Sequence, residues 1–263
     1  MTTEGEKYCL LLAREQKIDI AAVARATAEF FDAPLADIAL SLRKGHGFIA
    51  SALPKVVGLE IQRRLDTLGA ETVLLPTSAL QPLPHPSTIR DVELLEDRLA
   101  ARERVDAEPL EVLYGQIMFL SVCQVARPQS SGESRTPGSR NFRDTMHKFN
   151  PLRTLHDSIS HNLPKSMSRV EIILNAFTRK PHEYLKMPQH DLNYRGLGEK
   201  KSETARHNFR SLLETLMQKA PAAYVTMPTR QFLGGAEPKH ITFPDMAEVN
   251  RYHAWLLNVL GSR

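Results

Sequence analysis

The densest run of chemistry-bearing side chains lies between Arg127 and Arg169, where six Arg and two Lys stand against Glu133, Asp144 and Asp157. Arg135, Arg140, Arg143, Lys148 and Arg153 are interleaved there with Phe142, Phe149 and Leu155. Guanidinium and ammonium groups neutralise phosphates, and aromatic rings offer faces on which bases stack. The same mixture of cations and apolar side chains also docks on proteins. No arginine–glycine repeat, aromatic ribonucleoprotein signature or zinc knuckle accompanies the charge. A protein partner or self-assembly is therefore the first expectation and nucleic acid the alternative. The start of the run, Pro128 to Arg140, is rich in Ser, Pro, Gly and Arg, the composition of a disordered insertion between two strands.

A second candidate is Gly196-Leu197-Gly198 with Lys200 and Lys201, ahead of an expected helix. A glycine turn feeding a helix N-terminus can receive an anion, and the two lysines would add charge. A turn beside a solvated cation pair explains the same residues. Other groupings fall short of a reaction. His147, His156 and His161 have spacings of nine and five that fit no zinc pattern, so no metal and no cofactor is expected. His156-Asp157-Ser158 are sequence neighbours, whereas a catalytic triad is assembled from distant segments. Gly45-His46-Gly47 reads as a turn, and neither GxxxxGK nor a strand-to-helix GxGxxG occurs. Cys9 and Cys123 sit in apolar runs far apart and read as buried, reduced thiols. An enzyme ranks third among the functions, because no carboxylate pair or His/Cys arrangement names a reaction.

Elements must position these residues, and the first part of the chain reads plainly. Lys7 to Ala13 is a continuous apolar strand, and Asp19 caps a helix from Ile20 to Phe31. Pro34 opens a short helix through Leu42, and Phe48 to Ser51 is a second strand. Pro54 opens a third helix with Val57, Ile61, Leu65 and Leu68 on one face and Gly69 as its C-cap, before a strand over Glu71 to Leu75. The order is β-α-α-β-α-β. The segment from Gly58 to Leu74, a helix ending in Leu68-Gly69-Ala70 before a Val-rich strand, resembles the last helix and strand of the C-terminal domain of the bacterial ribosomal stalk protein. That fold is shared with the adaptor of the Clp protease. The resemblance covers residues 7–76 and implies a small docking module. Where the stalk domain carries a basic helix, this chain has Asp37, Ile38 and Leu40, with cations only at Arg43 and Lys44, so the stalk's factor binding is not carried over.

Four prolines between Pro76 and Pro86 mark residues 77–88 as a semi-stiff linker. Beyond it, Thr88 is expected to cap a charged helix to Arg104 with Val92, Leu95 and Leu99 as its stripe, and Leu110 to Ala126 to form one or two strands around Gly115. Val170 to Phe177, His182 to Met187 and Leu192 to Tyr194 read as strands. Ser202 caps a helix through Lys219 carrying Phe209, Leu212, Leu213, Leu216 and Met217. Tyr224 to Met227 is a short strand, and Gly234-Gly235 a loop. A last helix from Asp245 carries Val249, Tyr252, His253, Leu256, Leu257 and Leu260. The pattern from Leu192 to Gly198 with Asn208-Phe209-Arg210 is similar to bacterial proteins without an assigned function and implies none. Residues 89–263 are thus expected to be an α+β domain, a small curved sheet with packing helices of the pleckstrin-homology kind, interrupted by the basic insertion 127–169.

At 263 residues with 42% hydrophobic and 24% charged, the chain is not collagen-like, wholly disordered or a disulfide framework. Its net charge is +4, but residues 127–169 alone carry +5, so the remainder sums to −1. The polar, acidic N-terminus offers no signal sequence, and no apolar run is long enough for a membrane span. A cytoplasmic, two-domain protein that binds other proteins, as an adaptor or a component of a larger assembly, is the resulting expectation.

Overall fold

The computed structural model describes residues 5–127, 169–179, 182–236 and 241–262. The N-terminal part comprises β1 (Lys7–Leu12), α1 (Ile20–Ala28), α2 (Leu35–Gly45), β2 (Phe48–Pro54), α3 (Lys55–Thr67) and β3 (Thr72–Pro76), in the order expected. The three strands pair antiparallel in the order β2-β1-β3. Asp19 caps α1 as expected, its Oδ1 accepting from Ala21 N at 2.9 Å and Ala22 N at 3.1 Å. α1 stops short of Phe31, whereas α2 runs on past Leu42. Leu68 lies outside the apolar face of α3 and is exposed.

The unbroken apolar run of β1 has a structural cause. Side chains alternate across a strand, so a strand apolar at every position is covered on both faces. Leu10 faces the helices α1, α2 and α3 through Val23, Ile38, Leu42, Ile61 and Leu65. Cys9 and Leu11 face the other way, into a core shared with the C-terminal helix.

The linker is held in place. Leu80 and Leu83 pack on that shared core, and the Asn258 side chain accepts from Gln81 N at 2.7 Å and donates to Gln81 O at 3.1 Å. β4 (Pro86–Thr88) follows. The helix expected from Thr88 to Arg104 is instead a hairpin of β5 (Asp91–Leu94) and β6 (Arg98–Arg102), paired Val92 to Ala101 and Leu94 to Leu99. The expected stripe was one residue wide, too narrow to bury a helix. As strands, these residues gain hydrogen-bonding neighbours on both sides, which overrides the helix propensity of Leu99-Ala100-Ala101.

β7 (Leu110–Leu113) and β8 (Ile117–Arg127) are the two strands expected around Gly115, joined by a 3-10 turn over Tyr114–Gln116. β9 (Arg169–Thr178), β10 (Tyr184–Pro188) and β11 (Asn193–Gly196) fall where the sequence places strands. α4 (Ala205–Lys219) is capped by Thr204 rather than Ser202. β12 (Tyr224–Val225) is only two residues long, because Met227-Pro228 opens a helix, α5 (Met227–Leu233), that the sequence reading lacked. β13 (Thr242–Phe243) precedes α6 (Met246–Gly261), which starts where expected and is capped by Asp245, whose side chain accepts from Glu248 N at 2.9 Å.

These strands make two sheets, where a single small curved one was expected. One has the order β12-β8-β9-β10-β4 with β13 also on β8; the other has the order β11-β5-β6-β7. β8 repeats the logic of β1. Leu120 and Val122 face α4, while Phe119, Cys123 and Val125 face α6. α6 therefore lies between the N-terminal sheet and the β8–β9 sheet, and the overall class is α+β. No helix among the described residues is long and apolar enough to cross a membrane.

Candidate functional site

The N-terminal sheet meets the rest of the molecule at the end of β1, and one carboxylate organises the junction. The side chain of Glu15 is 5% exposed. Its Oε1 accepts from the Tyr252 hydroxyl, and its Oε2 accepts from the Tyr224 hydroxyl at 2.6 Å and from Met227 N, the first residue of α5, at 2.7 Å. Arg230 approaches the same oxygen at 3.5 Å. Burial, with the neighbouring carboxylate adding to it, pushes the Tyr224 phenol up to about 12 and the Tyr252 phenol well above its ordinary value. Both stay protonated and donate. Around this hub Trp255 Nε1 donates to Leu12 O at 2.8 Å, and Arg251 Nη1 to Lys44 O at 2.6 Å. His46, expected as a turn residue, ends α2 in the left-handed conformation at φ 47° and also meets Glu248 at 3.0 Å. Gly47 follows at φ +108°, where a Cβ would lie 2.2 Å from the Trp255 ring. Arg14-Glu15-Gln16-Lys17 has the look of a solvated loop, so nothing local marks Glu15; its role arises from contacts more than 200 residues away in the chain.

This junction borders an open groove of about 500 Å³. One wall is the last turn of α2, with Ser41, Lys44 and Gly45; along the groove run Phe48, Ile49, Ala50 and Ser51 of β2, and Arg251 of α6 completes it. β2 is an edge strand, bonded to β1 and to no other described strand. The groove combines half-buried apolar side chains, an open strand edge and two cations. On the other side of the last turn of α2 is a smaller hollow of about 240 Å³, lined by Ile18, Leu42, Met227 and Trp255 with Glu15 among them. Its one buried carboxylate is already satisfied.

The fold also brings Cys123 and His253 together, 130 residues apart, with Nε2 3.8 Å from Sγ and 2.9 Å from Ser121 Oγ. All three are fully buried, and His253 is enclosed by the rings of Phe119, Phe177 and Tyr184. Burial pushes the Cys123 thiol up to about 12 and the His253 imidazole down to about 3. A nucleophilic Cys–His pair needs both shifts reversed, a thiolate beside an imidazolium. This cluster is a polar inclusion in the core. Burial likewise pushes the Cys9 thiol up to about 11, and both cysteines are free and buried as expected.

The residues singled out in the basic stretch, Arg135, Arg140, Phe142, Arg143, Lys148, Phe149, Arg153 and Leu155, lie outside the described residues, as do His147, His156, Asp157 and His161. The strands that flank the stretch are antiparallel neighbours, with Arg127 opposite Arg169. Of the second candidate, Gly196 ends β11, where a Cβ would lie 2.1 Å from Val92 O, so this glycine serves the close approach of β11 to β5. Gly198 and Lys200 belong to a three-residue 3-10 turn, Lys201 follows it, and α4 begins only at Ala205. The helix N-terminus that these residues precede is capped by Thr204, whose hydroxyl accepts from His207 N. Beside Gly196 the buried Asp91 holds Arg102 at 3.1 Å and Arg195 at 2.8 Å, tying β5, β6 and β11 together. No group of three or more His, Cys, Asp or Glu among the described residues could hold a metal ion.

Comparisons with protein-family models, with curated proteins and with solved structures returned no match.

Proposed function

We propose that the protein works by binding another protein, as an adaptor or a component of an assembly, and that the groove along β2 is a docking site. The observation that carries this reading is an open strand edge bordered by a pinned arginine and an exposed lysine, on a part of the fold braced by α6. Edge strands attract pairing and are commonly covered, so one left open beside a groove supports docking. Binding is tested with the full chain as bait, wild type against Ser41→Trp, which places an indole in the groove from an exposed helix position. Partners held by the wild type and lost by Ser41→Trp, with thermal unfolding unchanged, are expected. The same partners held equally by both proteins would overturn the reading.

The basic stretch favours nucleic acid as a second reading, on its net charge of +5. Because Arg127 and Arg169 face each other across β8 and β9, residues 128–168 can be replaced by an Asn-Gly hairpin turn. Binding to nucleic acid that falls steeply with salt and vanishes in this deletion is expected on that reading. Binding that survives the deletion refutes it.

A further inference from the structure

We infer that the occupant of the β2 groove is an acidic, extended segment of another protein, which pairs with β2 as an added strand. This rests on the docking reading above and adds the chemistry of the partner. β2 bonds to β1 alone among the described strands, which leaves one side of the strand open where it borders the groove. A peptide satisfies such an edge with its own main chain, through N–H and C=O groups alike. A phosphate backbone has acceptors only and would leave the carbonyls unmet.

The usable length is limited by β2 itself. Its pairing with β1 slips on either side of the Leu10–Ala50 pair, and Ala52 adopts φ 57°. Such irregularities interrupt and bend the ladder locally. The edge that borders the groove is Phe48 to Ser51, with one of these slips inside it between Phe48 and Ala50; it spans about 13 Å at ~3.3 Å per residue, which suits at most about four residues of partner.

The charge of the partner follows from the walls. Lys44 and Arg251 are the only charged residues lining the groove among those described. Arg251 is held through one nitrogen on Lys44 O, which keeps its guanidinium at the groove. Lys44 forms no ion pair with any described carboxylate. An entering strand with carboxylates on one face and apolar side chains on the other would meet these cations while its apolar face covers Phe48 and Ile49.

The test uses the full chain and a soluble peptide of four Glu-Val repeats, followed by backbone amide chemical shifts to millimolar peptide. The expected result is saturable shifts centred on Phe48 to Ser51, and affinity reduced about tenfold or more by Lys44→Glu, an exposed position whose reversal leaves the fold intact. Peptides of Lys-Val and of Glu-Pro repeats are expected not to bind, the first for its charge and the second because proline lacks the N–H for pairing. Absence of Glu-Val binding, equal binding by Lys44→Glu, equal binding of Glu-Pro, or shifts centred elsewhere would overturn the inference. So would dimerisation of the protein alone abolished by Lys44→Glu, which would make a second copy the occupant. Partners lost by Ser41→Trp without any Glu-Val binding would refute the acidic strand and leave the docking reading standing.

Discussion

Replacing Glu15 by alanine removes one side chain and disconnects three donors from three different elements, β12, α5 and α6. The Tyr252 hydroxyl is buried on α6 and loses a bond to a charged acceptor, a loss of about 2–3 kcal/mol when no water can replace it. The Tyr224 hydroxyl and Met227 N–H lie nearer the surface, and water can partly rehydrate them, at about 0.5–1.5 kcal/mol each. The expected cost of Glu15→Ala is roughly 3–6 kcal/mol, a large share of the ~5–15 kcal/mol that stabilises a typical domain. Glu15→Gln keeps the shape. Its carbonyl can accept from Tyr224 and Met227 while its amide donates to the Tyr252 oxygen, so the charge assistance and the acceptor for the Tyr252 O–H are lost, about 1–3 kcal/mol. Urea unfolding of the full chain at neutral pH measures both, with Glu199→Ala on an exposed 3-10 turn as the reference. A double-mutant cycle with Tyr252→Phe is expected to give a coupling of about 1–3 kcal/mol. If Glu15→Ala unfolds within about 1 kcal/mol of the Glu199→Ala reference, the carboxylate does not join the N-terminal sheet to α5 and α6.

Two further outcomes follow from the same core. His253 is buried neutral and pushed down to about 3 from its ordinary 6.5, so below that ordinary value the unfolded chain binds a proton that the folded chain refuses. Stability therefore falls as pH drops from about 6.5 towards 3, by up to ~1.4 kcal/mol per pH unit. His253→Gln is expected to flatten this part of the profile of urea midpoints, and parallel profiles would contradict it. Gly47→Ala places a methyl 2.2 Å from the Trp255 ring at φ +108°, and is expected to lower stability by about 2–5 kcal/mol. Gly69→Ala, at φ +73° with nothing within 4 Å, carries only the backbone penalty, about 1 kcal/mol. Equal midpoints for the two glycine variants would show that Trp255 yields freely.

α4 and α6 were legible in the sequence because their apolar residues recur at helical spacing over four turns, and each ends up burying that face. β1 and β8 were legible as buried runs, although only the fold explains why neither alternates: each separates two cores. The hairpin over Asp91–Arg102 was not legible. Val92 and Leu99 fit a helix and a strand pair equally well, and the choice fell to the neighbours β7 and β11, which are supplied from elsewhere in the chain. α5 was hidden behind a two-residue strand, since so short a helix has no periodicity to read.

The order of elements in residues 7–76, the capping aspartate Asp19, the start of the last helix at Asp245, the α+β class and the free buried cysteines were determined by the sequence alone, because each depends on local spacing, turn chemistry or residue type. The tertiary structure alone decided that α6 lies between two sheets, that Glu15 is a buried hub, that Cys123 meets His253, and that β2 is left as an edge beside Lys44 and Arg251. Each of these joins residues more than 100 positions apart or depends on which strands find partners. Local sequence holds no record of such distant pairings, because burial and pairing are properties of the neighbours a residue acquires on folding.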